Sequence, residues 1–219
     1  MQIQTVEKSG YDIIVVGGGI AGIAAAVSAA RLSKSVLLIE KQINLGGLAT
    51  VGLINWFEPL CDGEGTRLIG GMAKELIDLA ISCGYDNLHE KWGGTSGNEI
   101  RYDRFASAYS PTFFSLALDG FVKQNGVQLL LDTYATYPVA DGRVCKGVIT
   151  ENADGRSFYP AKAVVDCTGD ASIFHRIGAP TKDVENFFTY VVHATDLESV
   201  KEYEKSEDMT KLRRWKSVG

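Results

Sequence analysis

The chain has 219 residues, a formal net charge of −5 and 45% hydrophobic residues. This length is enough for one large domain or one and a half, and the hydrophobic fraction excludes global disorder. The acidic balance argues against nucleic acid as the main partner.

The 18 residues between Asp12 and Arg31 carry no charge, so a membrane segment has to be considered first. About 18 apolar residues are the usual minimum for a spanning helix. Here Gly17, Gly18, Gly19 and Gly22 interrupt the stretch, and glycine costs about 1 kcal/mol relative to alanine inside a helix. The first residues also lack the basic excess of a signal peptide. We therefore expect neither a membrane helix nor a secretion signal.

A nucleotide-binding βαβ unit explains the order of residues in the same stretch. The β-branched run YDIIVV predicts a buried strand, and it leads into a G-x-G-x-x-G loop at Gly17, Gly19 and Gly22. A helix of small residues to about Leu32 and a second buried strand, SVLLIE, complete the unit. The second strand ends at Glu40. An ordinary α/β turn is the simpler alternative, but it does not require this full context.

Each glycine of the loop has an expected physical role. Gly17 allows the tight turn from strand to helix, Gly19 lets a pyrophosphate approach the backbone, and Gly22 lets the helix pack closely on the sheet. The helix N-terminus offers N–H groups and partial positive charge to phosphates. Glu40 can accept hydrogen bonds from a ribose diol and would repel a 2′-phosphate, so an NADP-type ligand is disfavoured.

Further along, the pair Gly46-Gly47 is compatible with a second cofactor contact and equally with a simple loop. The sequence predicts a helix from about Gly71 to Ser82 and a polar loop over residues 85–100, which contains His89 and Trp92. Ser110-Pro111 is typical of a helix start, and Gly126 is expected to end that helix.

After this helix the pattern becomes β-type. VQLLLDT predicts a buried strand, and the runs YATYPVA, RVCKGVITE and RSFYPA predict an antiparallel meander. AVVDCTGD predicts another buried strand that ends in a Thr-Gly-Asp turn. Because ligands bind at the carboxyl ends of strands in such sheets, Thr168, Gly169 and Asp170 should reach the same crevice as the Gly17 loop.

The cysteines give no sign of a disulfide framework or a metal site. Cys61, Cys83, Cys145 and Cys167 are scattered and contain no C-x-x-C pair. We therefore expect reduced thiols in a cytoplasmic protein with no bound metal. The missing C-x-x-C pair also disfavours disulfide-reductase chemistry.

The order of these elements resembles the two-dinucleotide-binding-domain flavoproteins of the glutathione-reductase type. Within them, Val15–Thr50 and Gly126–Pro180 are most similar to FAD-dependent oxidoreductases. The resemblance implies an α/β fold: a Rossmann-like FAD/NAD(P)-binding domain with a parallel sheet, flanking helices and an antiparallel β-meander. It also implies FAD as the cofactor.

The resemblance assigns cofactor contacts to particular segments. It places the pyrophosphate against Gly17, Gly19, Ile20, Ala21 and Gly22, and the ribityl chain along Gly46, Gly47, Leu48, Ala49 and Thr50. The adenosine ribose would contact Glu40, and the adenine would lie beside Lys41 and the Ala135 backbone. The turn formed by Thr168, Gly169 and Asp170 would close over the pyrophosphate side.

The sequence departs from these flavoproteins in one respect. Related flavoproteins complete the FAD site with a Gly-Asp element near the C-terminus, and none follows residue 180. We expect residues 1–180 to form the FAD-binding domain, interrupted by an insertion at about 52–110, and residues 181–219 to begin a truncated substrate domain. The chain would then be an N-terminal fragment that binds FAD weakly or not at all, with exposed surface that favours self-association.

The expected activity is a two-electron oxidation or reduction of a small organic substrate at the flavin. No residue is assigned to proton transfer, because a structural role is the commoner outcome for His89, Arg101, Tyr102 and His193. An NAD-linked dehydrogenase and a nucleotide-binding remnant without turnover stay open as alternatives. The meander argues against the former, since a simple NAD domain continues with further βα units.

Overall fold

The computed structural model describes residues 4–57, 62, 66, 68–82, 107–185 and 197–206. The helices are Ile20–Arg31 (α1), Met72–Ser82 (α2), Pro111–Gln124 (α3), Ser172–Arg176 (α4) and Leu197–Ser206 (α5), with one 3₁₀ turn at Gly47–Ala49. The strands are Val6–Glu7 (β1), Tyr11–Val16 (β2), Val36–Ile39 (β3), Trp56–Phe57 (β4), Ser107–Ala108 (β5), Gln128–Leu130 (β6), Tyr134–Asp141 (β7), Val144–Asn152 (β8) and Gly155–Asp166 (β9).

One seven-stranded sheet organises the described chain. Its order is β6-β3-β2-β9-β8-β7. The short strand β1 pairs with the first half of β9, on the same side of β9 as β2. The first four strands are parallel, with Val15 opposite both Leu38 and Val165. Strands β7, β8 and β9 form the antiparallel meander. The predicted fold class is therefore confirmed.

The meander and the parallel sheet share one strand. The sequence suggested two strands, RSFYPA and AVVD, but β9 runs without a break from Gly155 to Asp166. Its first half pairs with β8 and β1, and its second half pairs with β2. The separate-strand prediction was wrong because no turn residue follows Pro160, whose fixed φ suits an extended chain.

Both faces of the parallel strands are covered, one by helices and the other by α4 and the meander, which explains their near-continuous hydrophobic sequences. On one face, Val15 and Leu38 pack with residues from α1, α2 and α3, including Phe114 and Leu118. On the other face, Ile14, Val16, Leu37 and Ile39 pack with Ile173 of α4 and with Ala135 and Val148 of the meander.

The predicted helix boundaries hold to within about one residue. α2 begins at Met72 and ends at Ser82, and α3 begins with Pro111 at its first position after the Ser110 cap. Gly126 follows α3 in the left-handed conformation, with φ of 77°. The charged stretch LESVKEYEKS near the C-terminus forms α5.

Some sequence predictions lie outside the described residues. These are the loop 85–100 with His89 and Trp92, and the residues Cys61, Cys83, Arg101, Tyr102 and His193. In the part of the chain that the structure describes, no helix has the length and apolar character needed to cross a bilayer.

Candidate cofactor site

The turn between β2 and α1 requires glycine at two positions. Gly17 has a φ of 103°, and a Cβ there would lie 2.3 Å from the carbonyl oxygen of Cys167. A Cβ on Gly22 would lie 1.8 Å from the carbonyl oxygen of Gly17. A side chain at either position would displace backbone. The structure thus shows the close strand–turn–helix packing that the sequence predicts for these two glycines.

Gly19 is different, because the space beside it is open. Its φ of −69° suits any residue, and a Cβ there would meet no atom of the protein within 4 Å. Gly19 caps α1, and its side-chain-free cap leaves the first turn accessible. Among the described residues, none accepts a hydrogen bond from the backbone N–H groups of Ala21 and Gly22. Open space beside free N–H donors at a helix N-terminus is suited to an anion.

The second glycine pair lies directly against the first loop. The N–H of Gly46 donates a hydrogen bond of 2.8 Å to the carbonyl oxygen of Gly18. Gly46 has a φ of 103°, and a Cβ on Gly47 would come within 3.3 Å of the Gly19 Cα. The two glycine segments therefore form one continuous backbone surface, although the sequence alone left the second pair undecided.

Glu40 follows β3 and reaches back to the glycine loop. Its carboxylate accepts the N–H of Gly18 at 2.5 Å and the N–H of Gln42 at 2.8 Å, and the residue is only 8% exposed. A carboxylate offers about four lone-pair positions, so acceptor capacity remains for a ribose diol. Lys41 beside it is exposed to solvent. A contact of either residue with adenosine remains a prediction.

The segment after Gly47 turns its polar groups inward. The Thr50 hydroxyl donates to the carbonyl oxygen of Leu45 at 2.5 Å, and the residue is buried. The Leu48 side chain is exposed instead. Because the Thr50 hydroxyl already has an internal acceptor, the structure shows it supporting the loop. The cofactor contacts predicted for Leu48, Ala49 and Thr50 remain predictions.

The turn after β9 completes the crevice. The N–H of Cys167 bonds the Val16 carbonyl at 2.8 Å, and the Thr168 nitrogen would lie 3.0 Å from a Cβ on Gly17. The Thr168 hydroxyl lies 2.8 Å from the carboxylate of Asp170 and thereby lowers the pKa of that carboxyl. As the sequence suggested, this turn adjoins the Gly17 loop.

Asp166 organises this turn, and sequence reasoning missed it. Its carboxylate accepts the N–H groups of Ile173 and Phe174 at 2.9 and 3.0 Å, and it also lies 2.7 Å from the Thr168 hydroxyl. An acidic residue at a strand end shortly before a helix was the available signal, since such side chains satisfy free N–H groups of a first helical turn.

Ala135 sits on the other face of the sheet, where it packs with Ile14 and Ile173. Its carbonyl oxygen accepts a hydrogen bond from the Arg176 guanidinium at 3.1 Å. The structure does not bring Ala135 into the surface formed by the two glycine segments. Its predicted backbone contact with adenine remains a prediction.

Taken together, these groups fit a dinucleotide. The crevice offers open space at Gly19, free N–H groups for a pyrophosphate and a carboxylate for a ribose diol, all at the carboxyl ends of parallel strands. The fold and the site therefore define a dinucleotide-binding α/β domain. A family model described as FAD dependent oxidoreductase matches residues 12–186, and the chain belongs to the FAD-dependent oxidoreductase family.

Individual relatives agree with this assignment. The chain is 32% identical over 162 residues to the tRNA uridine 5-carboxymethylaminomethyl modification enzyme of Metamycoplasma arthritidis, covering 73% of this chain and 25% of that protein. It is 42% identical over 136 residues to the NADH:acrylate oxidoreductase of Vibrio harveyi, covering 59% of this chain and 12% of that protein. The chain thus spans a minor part of these relatives.

A solved structure gives the same picture of the fold. The geranylgeranyl bacteriochlorophyll reductase-like protein of Thermoplasma acidophilum matches with a TM-score of 0.58 at 18% identity, covering 82% of this chain and 44% of that one. The predicted family, fold class and FAD as the family's cofactor are confirmed. The family match favours FAD over the NAD-linked dehydrogenase that the sequence left open.

Proposed function

We propose that this chain binds FAD in the crevice between the Gly17–Gly22 loop and the Gly46–Thr50 segment, and that it serves the oxidation or reduction of a small organic substrate. FAD supplies two-electron redox chemistry when it is bound. The protein's part is to bind the cofactor, orient it and shape its surroundings.

The observation that carries this proposal is the contrast among the three loop glycines. Side chains at Gly17 and Gly22 would collide with the protein's own backbone, whereas a side chain at Gly19 would point into empty space. A glycine without a folding requirement, at the N-terminus of a 12-residue helix, indicates space reserved for a ligand.

The chain's own groups have distinct roles in this proposal. The N–H groups of Ala21 and Gly22 would donate to the pyrophosphate, whose charge the α1 N-terminus stabilises. Glu40 would accept hydrogen bonds from the adenosine ribose while it holds Gly18 in place. Leu48 and Val51, which are exposed, would border the flavin half of the cofactor.

A single methyl group tests the proposal. Gly19→Ala should leave the free energy of unfolding unchanged within about 0.5 kcal/mol, because nothing in the protein occupies that space. It should weaken FAD binding at least tenfold, measured by flavin fluorescence titration of the purified 219-residue chain.

The matched control is Gly120→Ala. Gly120 lies within α3, and a Cβ there also meets nothing within 4 Å. This variant should bind FAD like the unaltered chain. Equal FAD affinity for Gly19→Ala and Gly120→Ala would contradict the proposed position of the pyrophosphate.

The wider organisation of the chain is part of the same proposal. We infer that residues 1–180 form the cofactor domain, with an insertion at about 52–110, and that residues 181–219 belong to a substrate-side region. The family match over residues 12–186 supports the first part.

A small-molecule substrate, self-association and a cytoplasmic location complete the proposal, and the free thiols of Cys145 and Cys167 are consistent with that location. Turnover measurements with FAD distinguish this enzyme from a binding remnant.

A further inference from the structure

Tyr109 lies between β5 and α3 and is almost fully buried, with 1% of its surface exposed. Its ring packs against Phe57 and Phe114, with a centroid separation of 5.0 Å to each. The core therefore fixes the direction of the ring. The hydroxyl at its end lies 2.5 Å from the carbonyl oxygen of Ile54 and 3.1 Å from that of Ala49.

These two carbonyls belong to the loop that continues from the second glycine pair. The loop folds back on itself, with the N–H of Ile54 bonded to the Leu48 carbonyl at 3.0 Å. Leu53 within it holds a left-handed φ of 59°, which is costly for a residue other than glycine. Such a conformation persists only where the surroundings hold it in place. Tyr109 helps to hold it, because its hydroxyl contacts the Ala49 and Ile54 carbonyls and its backbone N–H donates a hydrogen bond to the Asn55 carbonyl oxygen.

The hydroxyl is also a dependable donor. Burial raises the pKa of Tyr109 above its ordinary value of 10.0, so the hydroxyl keeps its proton at neutral pH. The loop that it holds presents Leu48 and Val51, 72% and 51% exposed, on its open side. The same loop begins at the glycine pair that adjoins Gly18 and Gly19.

We propose that Tyr109 is a positioning residue that holds the Leu48–Ile54 loop against the flavin half of FAD. The inference rests on the proposed function, because it needs the cofactor in the crevice beside Gly19. It adds that a residue at the C-terminal end of the insertion sets the shape of the cofactor surface. Tyr109 itself touches the loop and not the ligand.

Comparison of two ligands tests this role. ADP carries the adenosine and pyrophosphate parts of FAD and lacks the flavin. Tyr109→Phe removes only the hydroxyl and keeps the packed ring, so FAD should bind about tenfold more weakly while ADP binds unchanged. Tyr137→Phe is the control, because Tyr137 is 54% exposed on the meander and should alter neither affinity.

Each outcome decides between distinct explanations. A selective loss of FAD affinity supports the positioning role, since general destabilisation would weaken both ligands. Equal losses for FAD and ADP, or no loss for either, overturn the role of Tyr109 and leave the proposed function intact. An unaltered chain that binds ADP and FAD equally well overturns the flavin contact itself, and one that binds neither overturns the proposed function.

A second measurement needs no variant. In the unaltered chain, amide hydrogen exchange over residues 48–55 should slow when FAD is added and stay unchanged when ADP is added. Equal protection by both ligands would overturn the proposed contact between this loop and the flavin half, even if Tyr109→Phe failed to fold.

Discussion

The N–H of Gly46 donates a hydrogen bond to the carbonyl oxygen of Gly18, and this bond joins two glycine segments that are far apart in sequence. It places the backbone after β3 against the backbone after β2. Because neither segment carries a side chain at the contact, the resulting surface is made of peptide groups. Peptide groups can approach a pyrophosphate more closely than side chains allow.

Gly22→Ala should destabilise the fold itself. The added methyl group would lie 1.8 Å from the Gly17 carbonyl oxygen, which is backbone and cannot turn aside. We expect a loss of about 3 kcal/mol in the free energy of unfolding, measured with urea. Gly120→Ala, also inside a helix, should be neutral or slightly stabilising. Equal stability of the two variants would show that α1 does not pack on the turn as described.

Glu40→Gln should weaken the loop that Glu40 holds. The carboxylate accepts N–H groups from Gly18 and Gln42, and an amide can offer an oxygen to only one of them. Loss of a hydrogen bond to a charged group costs about 2 kcal/mol, so the urea midpoint at pH 7 should fall. Lys41→Gln, at the exposed neighbour, should leave the midpoint unchanged. A similar midpoint for both variants would contradict this role.

Asp12 should make stability depend on pH. The hydrogen bond from Lys162, at 2.6 Å, and those from Ser35 lower the pKa of Asp12 below its ordinary 3.8. A lowered pKa in the folded state stabilises the protein above the ordinary pKa, and this contribution is lost as the pH falls below it. Asp12→Asn should therefore lower Tm at pH 7, and the difference should shrink at pH 3.

Lys162→Met should reproduce part of the Asp12→Asn effect, since Lys162 is the leading cause of the lowered pKa. Thermal unfolding followed by circular dichroism provides the measurement. The same Tm difference between Asp12→Asn and the unaltered chain at both pH values would rule out the ionised Asp12 as the stabilising form.

Cys167 should react slowly with alkylating reagents. Burial raises the pKa of its thiol above the ordinary 9.0, and the neighbouring charge of Asp166 adds to the shift. Since the thiolate is the nucleophile, alkylation by iodoacetamide should rise at higher pH in the folded chain than in urea. Peptide mass spectrometry separates Cys167 from the other thiols. Matching pH profiles in the folded and unfolded chain would contradict the burial of Cys167.

The sequence predicted the β2–α1–β3 unit well because its signals are local. Strand runs, three glycines and a strand-end acid lie within one βαβ unit, and each has a direct structural consequence. The contact of Gly46 with Gly18 was not predicted, since it depends on how the chain returns after β3. The positions of Thr168 and Gly17 followed from the rule for strand ends in parallel sheets.

Other features could not be predicted because they depend on distant partners. Tyr109 contacts the carbonyls of Ala49 and Ile54 from 60 and 55 residues further along the chain, and no local pattern marks that pairing. The continuity of β9 was missed because the meander and the sheet were treated as separate units. The hydrogen bond from the Thr50 hydroxyl to the Leu45 carbonyl was likewise not predicted, because it depends on how the chain folds back after Gly47.

The shared strand β9 has a consequence for how the molecule unfolds. Its twelve residues pair at one end with β8 and at the other with β2, and within the described chain no linker separates the two regions. The meander and the cofactor sheet should therefore gain and lose order as one cooperative unit. A change that loosens β8 should therefore also loosen the Cys167–Asp170 turn, because the backbone of β9 connects the two without a break.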